Sequence, residues 1–290
     1  MNTVEFLYQP FIEFGFMKRA LVACFGLALG CAPIGVLLLL RRMSLIGDAM
    51  SHAILPGAAV GYIVAGLSLG AMSLGGFAAG IAVALLAGAI TRWTPLREDA
   101  SFAAFYLISL AAGVLIVSTG GSSVDLMRVL FGSILAVDDA GLLLVATVAS
   151  LTLVGLAAIY RPLVVESFDP DFLRSVGANG GLYHMLFLVL TVLNLVAAFQ
   201  ALGTLMAVGL MMLPAAAARF WTKQVWSMAA VAAAIAALSG YAGLLVSYHW
   251  SLPAGPAIVL AAGLAYFLSV ALGPVGGLRR RLVRTPHFQA

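Results

Sequence analysis

Asp48 and His52 stand four residues apart in Met43-Ser-Leu-Ile-Gly-Asp-Ala-Met-Ser-His-Ala-Ile-Leu-Pro-Gly57, and no other pair in this chain is as well placed to do chemistry. On a helix that spacing puts both side chains on one face. A carboxylate and an imidazole are ligand types that suit a borderline divalent cation such as Zn²⁺ or Mn²⁺. The same spacing also allows a buried Asp–His hydrogen bond that only locks the helix to its neighbours. Leu55-Pro56-Gly57 follows at once, and a proline without a donor beside a glycine is expected to interrupt the helix. A later segment, Leu213-Pro-Ala-Ala-Ala217, echoes Leu55-Pro-Gly-Ala-Ala59. Paired broken helices are a pointer to transport sites.

The surroundings make the pair conspicuous. The 290 residues are 63% apolar and only 9% charged, against about 25% charged in a soluble domain. Too little polar surface remains to coat a globule, which excludes a soluble enzyme, a nucleic-acid-binding module and a disordered chain. Charge-free stretches run from Ala20 to Leu40, Ala49 to Thr91, Ala100 to Val124, Ala140 to Tyr160, Ser175 to Ala218 and Gln224 to Leu278. A spanning helix needs about 20 residues, so the three longest stretches must each fold back once. The expected fold is therefore all-α, a polytopic membrane bundle of eight or nine transmembrane helices. It forms a single integral-membrane domain over residues 1–290. The doubtful crossing lies at Gln200-Ala-Leu-Gly203, where no polar turn marks the reversal. Long apolar runs exclude a transmembrane barrel. Arg41-Arg42 after Leu40 excludes a cleavable signal peptide.

The basic residues choose a side. With Arg41 and Arg42 in the cytoplasm, Arg92, Arg97, Arg161, Arg174, Arg219, Lys223, Arg279, Arg280, Arg281 and Arg284 fall there too, leaving Lys18, Arg19 and Arg128 outside. That asymmetry is what cytoplasmic loops carry. The first ~17 residues, with Phe6, Leu7, Phe11, Phe14 and Phe16 beside Glu5 and Glu13, read as an interfacial helix.

An ionisable group inside a span costs several kcal/mol unless it is paired or faces water, and Asp48–His52 meets that description most clearly. His249, between Tyr248 and Trp250, reads as an interfacial anchor, and His184 as a packing residue at the start of a span. Gln200 and Asn194 are uncharged polar groups within a span. Interhelical hydrogen bonding is the default for both, and Gln200 is kept as a weaker candidate for the cation path. Asp125, Asp138 and Asp139 form an outer rim. Cys24 and Cys31 lie seven apart on one helix, about 10 Å of rise, too far for a disulfide. The chain contains no G-x-x-x-x-G-K-[ST], H-E-x-x-H or G-x-S-x-G, so P-loop ATP binding is excluded and hydrolase chemistry disfavoured.

The longest polar insertion runs over residues 161–181. Asp169 can cap a short helix with Pro170 at its first position, and Gly177 can stop it. Such a helix outside the membrane carries Phe172, Leu173 and Val176, and exposed apolar residues there call for a partner surface.

Five segments together resemble the permease subunits of metal-ion ABC importers, the ABC-3 family. They are Arg42-Met-Ser-Leu-Ile-Gly-Asp-Ala-Met-Ser-His-Ala-Ile-Leu-Pro-Gly57, Arg97-Glu-Asp-Ala100, Val124-Asp-Leu-Met-Arg-Val-Leu-Phe-Gly-Ser-Ile-Leu-Ala-Val137, Ser167-Phe-Asp-Pro-Asp through Gly177, and Leu213-Pro-Ala-Ala-Ala-Ala-Arg219. Arg128 stands where family members often carry His. The resemblance implies a homodimeric permease in the bacterial inner membrane. Two copies of a separate ATP-binding subunit would drive it, and an external metal-binding protein would feed it. No cofactor is held permanently; zinc is the first expectation for the cargo, manganese the next and iron also possible within the family. Asp48 and His52 would be ligands on the translocation path. Asp169, Phe172, Val176 and Gly177 would form the helix that docks the ATPase. A secondary transporter or channel working without an ATPase is the competing class, and an intramembrane metalloenzyme a distant third.

Overall fold

The computed structural model describes residues 3–66, 68–96, 98–119, 134–177 and 180–278. Arg97, most of the 124–137 segment and the basic tail from Arg279 lie outside the described residues. Within them the chain is helical, without strands. A short α1 (Thr3–Glu13) precedes α2 (Gly15–Leu40), α3 (Ser44–Ala65), α4 (Leu69–Trp93) and α5 (Glu98–Thr119). A single 3₁₀ turn, Ile134–Ala136, leads to α6 (Asp139–Phe168), α7 (Pro170–Ser175), α8 (Gly180–Leu202), α9 (Thr204–Ala218), α10 (Val225–Trp250) and α11 (Ala254–Leu272).

Six helices are long and apolar enough to cross a membrane: α2, α4, α6, α8, α10 and α11. The polar residues Asp48 and His52 keep α3 out of that set, and α5 and α9 carry only shorter apolar stretches, Ala100–Ile116 and Met206–Ala218. The centre of the molecule is α2 and α8, whose apolar windows are 67% and 72% buried, against 22% for α11 at the periphery.

Contacts along α2 establish the direction of its neighbours. Phe187 of α8 lies under the Arg41 guanidinium, and Asn194 lies against Gly30, so α8 runs antiparallel to α2. The chain then reverses at Gly203, whose φ of 83° is a left-handed conformation that glycine adopts without a Cβ penalty. On the return, the Met211 carbonyl meets Gly35 of α2, and Met211 and Met212 reach Gly47 at the start of α3. At Gln200–Gly203, where the sequence leaves the crossing open, the chain thus turns in a helical hairpin.

The expected interruption at Pro56 is absent: α3 is helical from Ser44 to Ala65 through the proline, and α9 likewise passes through Pro214. Neighbouring helices pack closely around the segment. Gly113 of α5 stands against Leu55 and Pro56, leaving room for the ring. On the opposite side Gly57 and Gly61 let the α3 backbone meet the Gly75 and Ala71 carbonyls of α4. Small residues one turn apart allow the close helix approach by which membrane helices pack. Gly57 therefore serves helix contact and does not loosen a turn.

The 161–181 insertion is also more regular than expected. Helix α6 continues through Pro162 to Phe168, so only Asp169 separates it from the α7 turn. At the other end, α1 packs on α10. Tyr241 donates to the Leu7 carbonyl at 3.1 Å, and the His249 ring stacks on Phe6 at 3.7 Å.

A leucine at Gly57 would drive its Cβ into the Gly75 carbonyl and within 2.7 Å of Ala79 Cβ, whereas Gly70 has nothing within 4 Å. Overpacking of that kind costs about 1–3 kcal/mol. Gly57→Leu should lower the melting temperature of the detergent-purified protein and its yield in membranes, and Gly70→Leu should leave both unchanged.

Candidate cation site on α3

The α2–α3 link delivers Asp48 to its place. Arg41 ends α2, Arg42 takes a left-handed φ of 60°, and the Met43 N–H returns to the Leu38 carbonyl at 2.8 Å. Ser44 then opens α3, and Asp48 and His52 follow on successive turns. The Asp48 Oδ1 and His52 Nε2 atoms lie 3.8 Å apart, too far for a hydrogen bond. Two ligands about 2.1 Å from one tetrahedral ion would stand about 3.4 Å apart. A shift of a few tenths of an ångström would let both reach the same cation. Among the described residues no third His, Cys, Asp or Glu joins them. The remaining positions of a coordination shell would fall to water or backbone oxygens.

The two side chains differ in surroundings. Asp48 is 56% exposed and His52 22%. Tyr106 of α5 meets the imidazole edge-on, with ring centroids 4.9 Å apart, and restricts its rotation. The other ring nitrogen, Nδ1, is buried without a hydrogen-bond partner. A ligating histidine usually donates that N–H to an oxygen that orients it; here ring packing does the orienting. Ser51, one turn from Asp48, is buried and donates to the Asp48 carbonyl at 2.7 Å.

Asp48 and His52 belong to a stripe along α3 that continues through the exposed Val60, Ile63 and Val64. Behind it Gly57 and Gly61 seal the helix against α4, and α5 covers the flank at His52 and Pro56. The only strongly polar part of this helix is therefore also open on the single chain.

Gln200 does not join the pair. Val192 marks the level of Ile54 by packing on Gly80 beside it, and Gln200 lies eight residues further along α8, about 12 Å of rise. Its Nε2 is buried without a partner. Asn194 makes the interhelical bond expected of it, from Nδ2 to Thr152 Oγ1 of α6 at 2.6 Å. Asp138 is a helix cap, accepting from the Gly141 N–H at 2.8 Å. His249 is held to α1 through Nε2 and the Phe6 carbonyl at 3.0 Å, and His184 sits in the first turns of α8. Cys24 and Cys31 are both fully buried free thiols.

The short α7 is built as its sequence dictates. Asp169 Oδ1 accepts from the Phe172 N–H at 2.9 Å, and Gly177 turns left-handed with φ 77°. Phe172 and Val176 are 55% and 65% exposed. Leu173, expected among the exposed residues, is instead 7% exposed and anchors the turn against the bundle.

Two features escaped sequence reading. Tyr106 is one aromatic among many in an apolar helix, and nothing local marks it as the neighbour of His52. Arg41 forms an ion pair with Glu166, with side chains 9% and 16% exposed. A lone glutamate after Val164 and Val165 signals a need for a cation, but not which of the arginines supplies it.

A chain whose described residues form helices and the turns between them, with six helices suited to crossing a bilayer and a polar pair on an open stripe, is a multi-pass membrane protein. The model of the ABC 3 transport family matches residues 13–273, and the chain belongs to that family. It is 32% identical over 262 residues to the manganese import system permease protein ScaB of Streptococcus parasanguinis, covering 90% of this chain and 92% of that one. A membrane protein of Haemophilus influenzae named for an iron transport system is 30% identical over 278 residues, covering 96% and 97%. The solved structure of PsaBC from Streptococcus pneumoniae in complex with a Fab superposes with a TM-score of 0.84 at 29% identity, covering 97% of this chain and all of that one.

The exposed stripe makes a direct test available, because Cys24 and Cys31 are each 0% exposed and give a silent background. A thiol reacts as its thiolate, which needs water. Asp48→Cys should be modified by a small hydrophilic thiol reagent in membranes, and Ser51→Cys should not. An unreactive thiol at position 48 would mean that the stripe faces hydrocarbon.

Proposed function

We propose that this chain is the membrane-spanning subunit of an ATP-driven importer that moves a divalent transition-metal cation into the cytoplasm, with Asp48 and His52 as protein ligands on its path. The observation that carries the reading is the placement of a half-exposed carboxylate and an imidazole, 3.8 Å apart, on the one open stripe of an otherwise apolar helix. A charged carboxylate facing lipid costs several kcal/mol. The stripe therefore borders a water-filled path, and a second copy of the chain is the natural wall for its other side. Manganese is the foremost cargo on the names its relatives carry; zinc, which the same donor types suit, and iron are its competitors.

The remaining elements fall into place around that site. All nine helices from α2 to α11, the short α7 excepted, insert in the membrane as one domain of a bacterial inner membrane protein. The charge asymmetry puts the Arg41 and Arg219 end in the cytoplasm. The α7 turn then faces the cytoplasm, where the exposed Phe172 and Val176, with Asp169 and Gly177 shaping the turn, meet a separate ATP-binding subunit that performs the hydrolysis. A metal-binding protein docks at the opposite face and hands over the cation. With two protein ligands and no third among the described residues, the site holds the ion weakly enough to release it when the helices reorient. A secondary transporter would leave the capped, apolar α7 without a surface to cover.

Asp48→Asn keeps shape and hydrogen bonding while removing the charge that attracts a divalent ion. In cells or proteoliposomes it should lower manganese uptake by at least about tenfold, the equivalent of some 1.4 kcal/mol. Membrane insertion and assembly with the ATP-binding subunit should be unaffected, since the carboxylate is half exposed. Normal uptake by a well-expressed Asp48→Asn protein would remove Asp48 from the path. Parallel measurements with zinc and iron identify the cargo.

A further inference from the structure

We propose that the Arg41–Glu166 ion pair is the connection through which movement of α7 reaches the cation site on α3. The inference rests on the reading of α7 as the surface that meets the ATP-binding subunit. Glu166 lies on the last turn of α6, three residues before the Asp169 cap. Its side-chain stem is wedged beside the start of α8: a Cβ built on Gly180 would sit 3.1 Å from Glu166 Cγ and 3.2 Å from Leu173 Cδ2. The glutamate and the buried anchor of α7 thus share one crevice at the start of α8, and displacement of Leu173 is felt at Glu166. The carboxylate then engages Arg41 at the end of α2. The same guanidinium lies over the Phe187 ring of α8, 5.4 Å from its centroid.

Beyond Arg41 little slack remains. The link to α3 is three residues long, and it is closed by the Arg42 N–H to Leu39 carbonyl bond at 3.2 Å and the Met43 N–H to Leu38 carbonyl bond at 2.8 Å. A displacement of Arg41 therefore passes into the first turns of α3, where Asp48 stands. The guanidinium grips Glu166 through Nη2, while Nη1 is buried and unpartnered. A guanidinium held at one nitrogen can pivot about that bond, whereas a bidentate pair is locked. The spare donor can take a second acceptor once the helices reorient. A pair that only stapled α2 to α6 would need neither the shared crevice with Leu173 nor the free donor.

The test uses the complete chain assembled with its ATP-binding subunit in proteoliposomes, with Mn²⁺ as the transported probe. Three quantities are read: co-purified ATPase, ATP hydrolysed and manganese moved per ATP. Arg41→Gln and Glu166→Gln should keep co-purification and hydrolysis within about twofold while manganese moved per ATP falls about tenfold, and the exchange Arg41→Glu with Glu166→Arg should recover most of that ratio. An unchanged ratio in both single variants would overturn the proposal, as would failure of a well-assembled exchange variant to recover it. Where a single variant does not accumulate, the exchange variant decides, because a lost charge and a reversed pair differ in ratio and not only in yield. Phe172→Asp tests the underlying reading separately, on co-purification alone. An undiminished ATPase there moves the docking surface elsewhere and removes α7 as the origin of the movement. A normal ratio in Glu166→Gln beside a lost ATPase in Phe172→Asp keeps the docking surface and removes the ion pair.

Discussion

A carboxylate in a hydrocarbon layer needs a counter-charge, a hydrogen-bond donor or water, and the arrangement of α3 follows from meeting that requirement at Asp48. The histidine one turn away stands too far off for a hydrogen bond, so it does not neutralise the carboxylate by itself. In the proposed reading water or a cation completes the site, and Asp48 stands on an open face where either can reach it. The rest of α3 pays for this opening with tight packing behind it. Glycines at 57 and 61 bring its backbone onto the carbonyls of α4, and Gly113 of α5 receives Pro56. Tyr106 holds the imidazole in place. The polar face is free because the apolar face is crowded.

The same economy of small residues shapes the core. Helices α2 and α8 run antiparallel through the centre, and the hairpin at Gly203 returns α9 along α2 to the start of α3. The two ends of the molecule are built differently. Around His249, aromatic stacking and bonds to α1 carbonyls tie α1 to α10. Around Arg41, a part-buried ion pair with Glu166 joins the end of α2 to α6. Desolvation offsets much of the attraction within such a pair, but removing one partner strands the other.

Much of this was legible in the sequence because its signals are local. The apolar stretches announced a helical membrane protein, and Asp48 with His52 stood out because ionisable groups are rare in such surroundings. Asp169, Pro170 and Gly177 spelled out the α7 turn through capping chemistry that depends on neighbouring residues alone. Pro56 misled for the opposite reason. Its effect on the helix depends on what packs around it, and Gly113 and Gly75 come from other segments. The extension of α6 to Phe168 and the burial of Leu173 were hidden likewise. Tyr106 beside His52 and Glu166 beside Arg41, the latter 125 residues apart, are tertiary facts without a local signature.

The central claim is that one cation touches both Asp48 and His52, and Mn²⁺ itself is the most direct reporter of its ligands. Electron–nuclear double resonance on the purified, manganese-loaded complex detects nitrogen bound to the metal. A histidine nitrogen coupling should be present in the native protein and absent in His52→Gln, with Asp48→Asn losing bound manganese altogether. A nitrogen coupling that survives in His52→Gln, or tightly bound manganese with no nitrogen coupling in the native protein, would contradict it.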